Sequence, residues 1–389
     1  MVKTKVGYSE NTSAFSSGVE TATMANGKDA KVGLLFTSVV LDQNELLKGV
    51  SSVMSAPVVG CTSSAAICTH DGYLNKETGY SGMMSFSGDL EVVVAGSEKT
   101  SNETAREIGR RIAKEAMSQV KGKDVEPDYF FMTASPAEEE EYMKGVQDVI
   151  GEIPVFGGSA ADNTVEGKWS IICKDKVFAD GCAIAIFFAD NEMKNIYTGG
   201  YKETNNVGII TKLSSIRTLA EIDGVPAVKK YAEWTGKSID SLMGSNLLAE
   251  TIFAPLGVKD PIGNVIAVRH PMFANPDLSM NIGANLAVNT AVIQLEGSPE
   301  SVIEANPETI RLLNKKMNGE IQSYFLVHCG GRRLGLQLTN SESKIYSEVI
   351  KATGGKEFLM VFTFGEYGSN EHSANTVGGL SLSFTGFGE

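Results

Sequence analysis

The sequence predicts an α+β fold of mixed α/β layers, in which internally duplicated strand–helix–strand–strand units form mixed or antiparallel sheets covered by helices. Apolar runs typical of buried strands alternate with amphipathic helical patterns. One junction of apolar residues, glycine and small polar residues occurs twice, as APVVGCTSSAA at residues 56–66 and IPVFGGSAADN at residues 153–163. Some strands also follow one another without an intervening helix, which excludes a purely doubly wound sheet.

The first copy begins at a buried strand. Residues 32–38 (VGLLFTS) form a continuous apolar run, and residues 42–54 place apolar side chains on one side of a helix. After the first junction, the apolar runs 82–87 and 90–95 predict successive strands. The capping-box pattern Thr-Ser-Asn-Glu at residues 100–103 predicts the start of a further helix.

The second copy repeats this order of elements. Residues 128–133 (DYFFMT) predict a strand, and residues 138–150 predict an acidic amphipathic helix before the second junction. Several positions agree between the copies, with a one-residue gap between the first match and the two later ones. The matching positions are Lys48–Val50 with Lys144–Val146, Pro57 with Pro154, and Gly60 with Gly157.

A third, fainter copy is expected near the C-terminus. Its strand is predicted at residues 323–328, its helix at 342–352 and its junction at 362–366, with Gly365 as the counterpart of Gly60 and Gly157. Spacing of about 100 residues is too long for a solenoid, so the repetition indicates duplication of a packed layer.

A second kind of unit is expected at residues 207–236 and 290–319, each a strand followed by two helices and a glycine. In the later copy, Ser298-Pro299 and Asn306-Pro307 both have the form of a helix start, since a capping side chain precedes a proline.

Length and repetition together predict the domain organisation. Residues 1–31 are expected to be an N-terminal segment of strand and loops, and the chain is expected to divide near Pro226. The first domain then spans residues 32–226 with internal copies 32–122 and 128–226, and the second domain spans the remainder to residue 389.

Composition limits the classes of partner. The chain of 389 residues carries 47 acidic and 34 basic residues, a net charge of −13, and no concentrated basic run. This charge opposes binding to nucleic acid or to an anionic membrane surface. No stretch approaches the ~18 consecutive apolar residues of a membrane span, and the N-terminus has no apolar signal-peptide core.

The cysteines indicate the compartment. Five of them, Cys61, Cys68, Cys173, Cys182 and Cys329, are scattered without a Cys-x-x-Cys pair. An odd, scattered set argues against a disulfide framework and favours a reducing environment. We therefore expect a cytoplasmic protein.

The repeated junctions predict a ligand-binding cleft. Glycine after a buried strand lets the backbone approach a ligand, and free N–H groups and hydroxyls at such a turn can bind a carboxylate or phosphate. If duplicated strand ends face each other, one cleft lies between the halves. The alternative is that these small residues make tight bends and satisfy one another.

The C-terminal region adds ionisable candidates. Arg332, Glu366 and Asn375, offered from strand ends, could bind the carboxylate, amine and side chain of an amino-acid-like ligand. The alternative is a structural ion pair between Arg332 and Glu366. The expected ligand-binding residues are Cys61, Thr62, Ser63, Ser159, Asp162, Asn163, Cys329, Arg332, Glu366 and Asn375.

Five short motifs give the chain a family resemblance. These are Gly60-Cys61-Thr62-Ser63, Glu221-Ile-Asp-Gly-Val-Pro-Ala227, Cys329-x-Gly331-Arg332, Phe364-Gly365-Glu366 and Asn375-Thr376. In their order and spacing the chain resembles a FIST-domain protein over about residues 31–384, with a FIST N-like region at 32–226 and a FIST C-like region at 227–389.

The resemblance implies an intracellular sensory module of signal transduction that binds small ligands, amino acids among them. The chain has no recognisable kinase, cyclase or coiled-coil output region, so the expected output is a signalling protein acting in trans. Ala65-Ala66 stands where the family usually carries Gly-Glu, which puts a polar ligand group at that point in doubt.

Other chemistries find little support. Gly236-Lys237-Ser238 lacks the first glycine of a phosphate-binding loop, no GxGxxG follows a strand, and the four histidines have no HExxH spacing. We expect no cofactor and no metal.

The open alternative to a sensor is an enzyme, a hydrolase or transferase with Cys329 as nucleophile and His372 approaching it in space. The other interpretation of Cys329 is a small buried thiol.

Overall fold

The structure is a computed structural model, and it describes residues 1–121, 126–260, 265–369 and 375–388. It confirms a mixed α/β fold with mixed sheets covered by helices. The strands are β1 (Val2–Ser9), β2 (Val32–Thr37), β3 (Val58–Thr62), β4 (Ile67–Thr69), β5 (Gly72–Leu74), β6 (Ser81–Gly88), β7 (Glu91–Glu98), β8 (Tyr129–Ala134), β9 (Val155–Gly158), β10 (Ile171–Cys173), β11 (Lys176–Phe178), β12 (Gly181–Phe188), β13 (Met193–Thr198), β14 (Lys202–Ser215), β15 (Thr218–Ile222), β16 (Val225–Pro226), β17 (Leu256–Lys259), β18 (Val265–Arg269), β19 (Pro271–Ala274), β20 (Met280–Ile282), β21 (Ala291–Glu296), β22 (Ser323–Cys329), β23 (Glu357–Thr363), β24 (Glu366–Ser369), β25 (Asn375–Gly378) and β26 (Leu382–Phe387). The α-helices are α1 (Ala14–Met24), α2 (Gln43–Ser51), α3 (Ala105–Met117), α4 (Glu139–Ile150), α5 (Ala227–Thr235), α6 (Ile239–Leu242), α7 (Asn246–Glu250), α8 (Pro299–Lys316), α9 (Gly330–Leu338) and α10 (Ser343–Ala352).

Three units share one order of elements: edge strand, helix, strand, helix, strand, hairpin and closing strand. The units begin at β1, β7 and β13, so each starts one strand and one helix before the start that the sequence match suggested. Residues 1–31 contribute β1 and α1 to the first unit, and α3 belongs to the second unit rather than to the end of the first. The capping box of α3 is formed by Thr104 and Glu107, not by residues 100–103.

Each unit gives its hairpin to the sheet of another unit. The first sheet has the order β1-β6-β2-β3-β10-β11, the second β7-β12-β8-β9-β24-β25 and the third β13-β26-β22-β23-β4-β5. Hairpin β4–β5 of the first unit therefore completes the third sheet, β10–β11 completes the first, and β24–β25 completes the second. This closed exchange joins the three units into one body.

The paired registers explain the repeated glycine. Gly60 lies opposite Leu35 and Gly157 opposite Met132 in the parallel strand pairs. A Cβ would lie 1.8 Å from the Leu35 carbonyl oxygen and 2.0 Å from that of Met132, so neither position accepts a side chain. In the third unit, the position opposite Leu326 is Met360. The proposed equivalence of Gly365 with these glycines is therefore wrong, since Gly365 lies five residues beyond it.

The matched Lys-Gly-Val triplets mark helix contacts. Gly49 of α2 lies against the backbone of α1, where a Cβ would approach the Phe15 carbonyl oxygen to 2.0 Å. Gly145 of α4 lies in the same way against α3, with the Arg106 carbonyl oxygen at 2.1 Å from a Cβ. The shared triplet thus reflects close packing of the helix pair that covers each sheet.

The inner faces of the three sheets meet in an aromatic core. The rings of Phe36, Phe131 and Phe325, one from each sheet, have centroids 5.4–6.2 Å apart. The outer faces are covered by the helix pairs α1/α2, α3/α4 and α8/α10. Every sheet is thereby buried on both sides, which fits the continuous apolar runs of its central strands.

Between β13 and α8 the chain inserts a fourth sheet, β18-β17-β21-β14-β15-β20-β19, with β16 beside β15. The expected second kind of repeat is wrong, because β14 and β15 form a hairpin and α8 is one continuous helix. Pro307 lies inside that helix, and Nδ2 of Asn306 donates to the Ile303 carbonyl at 3.1 Å. That side chain replaces the hydrogen bond that proline cannot donate.

Candidate functional site

The three strand-end junctions meet at one pocket. Ser64 follows β3, Asn163 and Val165 follow β9, Phe364 follows β23, and Gly330 begins α9; all five line the same pocket of about 70 Å³. The inserted sheet region closes the other side with Leu248, His270, Met272 and Gly283. The pocket therefore lies where the units and the insertion come together.

Hydrogen bonds hold the junctions against one another. The Ala161 amide donates to the Thr62 carbonyl at 3.0 Å, and the Ser64 amide donates to the Phe362 carbonyl at 2.8 Å. The Ala65 amide, in turn, donates to Oδ1 of Asn163 at 2.8 Å. These contacts fix the three strand ends as one rim.

Two of the residues expected to bind ligand, Asn163 and Cys329, line this pocket. The expected residues of the first junction instead make contacts within the fold. Cys61 is fully buried in the central core, Thr62 accepts from the Ser170 amide at 3.0 Å, and Ser63 bridges its own turn to Phe362. Their hydroxyls satisfy backbone groups, as the tight-bend alternative anticipated.

The second junction behaves similarly. Asp162 is buried and its carboxylate accepts from four backbone amides of the loop at residues 164–168. Ser159 lies between Glu139 and Tyr367, at 2.9 Å and 2.8 Å from their side-chain oxygens. Asn375 lies in the second sheet, where its amide group bonds to the backbone of Ile153 and Val155. All three side chains are engaged within the fold.

Arg332 is fully buried in α9 and does not line the pocket. Its Nη1 donates to the carbonyls of Gly199 and Leu380, and its Nη2 donates to the Val302 carbonyl at 2.9 Å. Its guanidinium also lies over the Tyr201 ring, 5.6 Å from the centroid. Within the described ranges it forms no ion pair with Glu366. The guanidinium instead ties three chain segments together.

Cys329 is the N-cap residue of α9, at the floor of the pocket. The Leu380 amide donates to its Sγ at 3.2 Å, and the amides of Gly331 and Arg332 also point to the sulfur. Burial, assisted by the nearby Glu366 carboxyl, raises the pKa of Cys329 to about 12. The sulfur is therefore a thiol at neutral pH, in spite of the helix N-terminus.

Glu366 lies behind Cys329, fully buried. Its Oε1 accepts from Oγ1 of Thr363 at 3.1 Å, and its Oε2 accepts from the Ser381 amide at 3.0 Å. Burial raises its pKa from 4.5 to about 8, because the apolar surroundings disfavour the carboxylate. Much of the Glu366 population therefore carries a proton near neutral pH.

This shifted pKa predicts a pH-dependent stability. The folded state holds a proton that the unfolded chain releases above its pKa of 4.5, so the contribution is complete below that pH and is lost as the pH rises through about 8. We expect the free energy of unfolding to decline by roughly 5 kcal/mol over that window through Glu366. Glu366→Gln, which mimics the protonated form, should remove this slope.

Urea denaturation of the wild type, Glu366→Gln and the exposed control Glu320→Gln between pH 5 and pH 9 measures the effect. The control should keep the slope of the wild type. An equal slope in all three proteins would show that Glu366 titrates normally.

Two ionisable pocket residues escaped the sequence analysis. Arg333 is 6% exposed and lines the pocket, and its Nη1 donates to Oε1 of Glu342 at 2.6 Å. Its Nε is enclosed by protein and has no hydrogen-bond partner among the described residues. His270, which showed no motif, is 7% exposed and lines the opposite wall. A helix predicted at residues 330–338 would have shown that the side chains of Arg332 and Arg333 point in different directions. The two glycines at its start disfavour such a prediction, because glycine is a poor helix former.

His270 is neutral at physiological pH. Burial lowers its pKa to about 4. Its Nε2 lies 3.1 Å from the Leu248 carbonyl oxygen. Since a carbonyl can only accept, Nε2 carries the proton, and Nδ1 remains an acceptor. His372, the proposed partner of Cys329, lies outside the described residues.

None of the helices in the described residues combines the length and apolar character that a membrane crossing requires. Comparison with family models matches residues 31–225 to the FIST N domain and residues 227–369 to the FIST C domain. FIST domains are generally taken as small-ligand sensory domains in signalling.

Two individual proteins also align with parts of the chain. An uncharacterized protein of Methanocaldococcus jannaschii is 25% identical over 216 residues, which cover 51% of this chain and 40% of that protein. A solved structure of cyanuric acid hydrolase aligns with 76% of this chain and 100% of that chain, at a TM-score of 0.30 and 9% identity.

Proposed function

This chain belongs to the FIST family, with both a FIST N and a FIST C domain, and on that premise we propose that it is an intracellular sensory protein for a small polar ligand. The ligand is an amino acid or a related metabolite. It binds in the pocket at the start of α9, and the signal passes to a partner protein.

One observation carries this proposal: strand ends from three units, α9 and the inserted sheet converge on a single small pocket. Ligand sites favour concave places between structural units. Residues from different elements line this pocket, so a bound ligand contacts all of them at once. Its binding energy can then favour one relative arrangement of these elements, which a partner can recognise.

A thermal-shift screen of amino acids and related metabolites tests the proposal. Saturable stabilisation by a ligand that is recovered unchanged supports a sensor, because binding to the native state raises stability by mass action. Ligand should also slow alkylation of Cys329, followed by mass spectrometry, without changing that of the core residue Cys61. Failure of every metabolite to stabilise the protein would contradict the proposal.

The alternative function is a hydrolase or transferase with Cys329 as nucleophile. The specific observation in its favour is that Cys329 lines the pocket at the N-terminus of α9, where a reacting group could approach it. Against it stands the pKa of about 12, which leaves little thiolate.

The two functions differ in a measurable way. For the sensor we expect Cys329→Ala to bind the screened ligand within about threefold of the wild type, and the ligand to be recovered intact. Turnover of the ligand by the wild type that Cys329→Ala abolishes would establish the enzyme instead.

A further inference from the structure

The polar groups of the pocket narrow the class of ligand. The donors lie on one side. The α9 N-terminus presents the backbone N–H of Gly330, and Arg333 lines the pocket with a guanidinium whose Nη1 is bound by Glu342. Helix N-terminus and guanidinium together favour a carboxylate.

Arg333 is held in place for this role. Oε1 of Glu342 fixes Nη1, and the guanidinium lies over the Phe362 ring, 5.9 Å from the centroid. Its Nε is enclosed by protein, and among the described residues Nη2 has no hydrogen bond, so Nη2 is the donor left for a ligand. Arg332 uses both of its terminal nitrogens on backbone carbonyls and does not line the pocket. Of these two neighbouring arginines, Arg333 is therefore the one available to a ligand.

The opposite wall offers an acceptor. Nδ1 of His270 makes no hydrogen bond within the described part of the chain, whereas its Nε2–H is used by Leu248. A ligand hydroxyl can donate to this nitrogen without bringing in a charge. A Cβ at Gly331 would lie 3.7 Å from Cε1 of His270, so the two walls are close, and a hydroxyl on the carbon next to the carboxylate suits that short span.

A zwitterionic amino acid fits less well. Among the described residues, no Asp or Glu lines the pocket, and His270 is neutral. An ammonium group would lose its hydration without gaining a counter-charge, which is costly in a buried site. Leu248, Met272 and Phe364 instead provide an apolar wall.

The volume sets the ligand size. The volume of about 70 Å³ is several times the ~10–15 Å³ that a single water requires, so the pocket accepts a molecule of a few heavy atoms. A carboxylate, a hydroxyl and one or two further carbons are of this size.

We propose that the pocket recognises a short 2-hydroxy monocarboxylate, with its carboxylate at the α9 N-terminus and Arg333, its hydroxyl on His270 and its aliphatic end against Leu248 and Met272. This inference rests on the proposed function and specifies the ligand class of the same site.

Isothermal titration of the full chain with matched three- and four-carbon compounds tests it. The series consists of the 2-hydroxy acid, the 2-amino acid, the unsubstituted acid and the 2-hydroxy amide. We expect saturable binding of the hydroxy acid, with the other three at least tenfold weaker. If the amino acid binds as well or better, this inference is overturned while the proposed function stands. If no member of the series binds, this inference is overturned, and the wider metabolite screen then decides the proposed function.

Two variants locate the contacts. Arg333→Met should weaken binding of the hydroxy acid at least tenfold, whereas Arg311→Met, on an exposed helix face, should leave its affinity unchanged. His270→Phe should abolish the preference for the hydroxy acid over the unsubstituted acid, an effect that a merely structural role would not produce. Retention of that preference in His270→Phe would overturn the inference, even if Arg333→Met failed to fold.

Discussion

Gly60→Ala is expected to prevent the chain from reaching a stable fold. The added Cβ would lie 1.8 Å from the carbonyl oxygen of Leu35, on the adjacent parallel strand. A backbone atom at the centre of the first sheet cannot move aside without breaking the β2–β3 pairing. We expect a loss of more than about 4 kcal/mol, at the extreme of single substitutions. Circular dichroism and urea denaturation of the purified protein measure it.

Gly319→Ala is the matched control, because no atom lies within 4 Å of a Cβ at that position. It should leave the free energy of unfolding within about 0.5 kcal/mol of the wild type. If Gly60→Ala unfolds at the same urea concentration as the wild type, the first sheet tolerates a wider separation of β2 and β3 than the structure has.

Arg332→Met is expected to destabilise the protein by roughly 3 kcal/mol. The substitution preserves much of the apolar stem but removes the donors to three buried backbone carbonyls, each of which then lacks a partner. It also removes the contact with the Tyr201 ring. Chemical denaturation measures the change, and Arg311→Met on the exposed face of α8 provides the control.

The same variant separates two roles for Arg332. A stable Arg332→Met protein that no longer binds a carboxylate would establish the ligand-binding role suggested by the sequence. Loss of stability, with ligand affinity unchanged in the remaining folded protein, would establish the structural role that its contacts indicate.

Local sequence predicted the repeated strand–helix–strand core and the convergence of its ends. Residues 32–38 and 128–133 are continuous apolar runs, and such runs specify buried strands wherever they occur. The exchange of hairpins escaped prediction, because β4 and β10 pair with strands of other units. Nothing within a short strand encodes the identity of a distant partner.

The site was predicted in outline and missed in detail. The junctions pointed to Asn163, five residues after β9, and to Cys329, the last residue of β22, because both lie near the end of a buried strand. His270 and Leu248 come from the inserted sheet, whose position over the junctions depends on tertiary packing alone. The sequence pointed to Arg332 instead of Arg333. Without a predicted α9, nothing indicated that the two side chains point in different directions.

The exchange of hairpins among the three sheets affects how the protein can be divided. The family boundary at residues 225–227 separates β13 from its partner β26, and leaves the β4–β5 hairpin without the third sheet that it completes. Either half expressed alone would expose unpaired strand edges and invite aggregation. The FIST N and FIST C regions of this chain therefore have to be kept together for the second and third sheets to be complete.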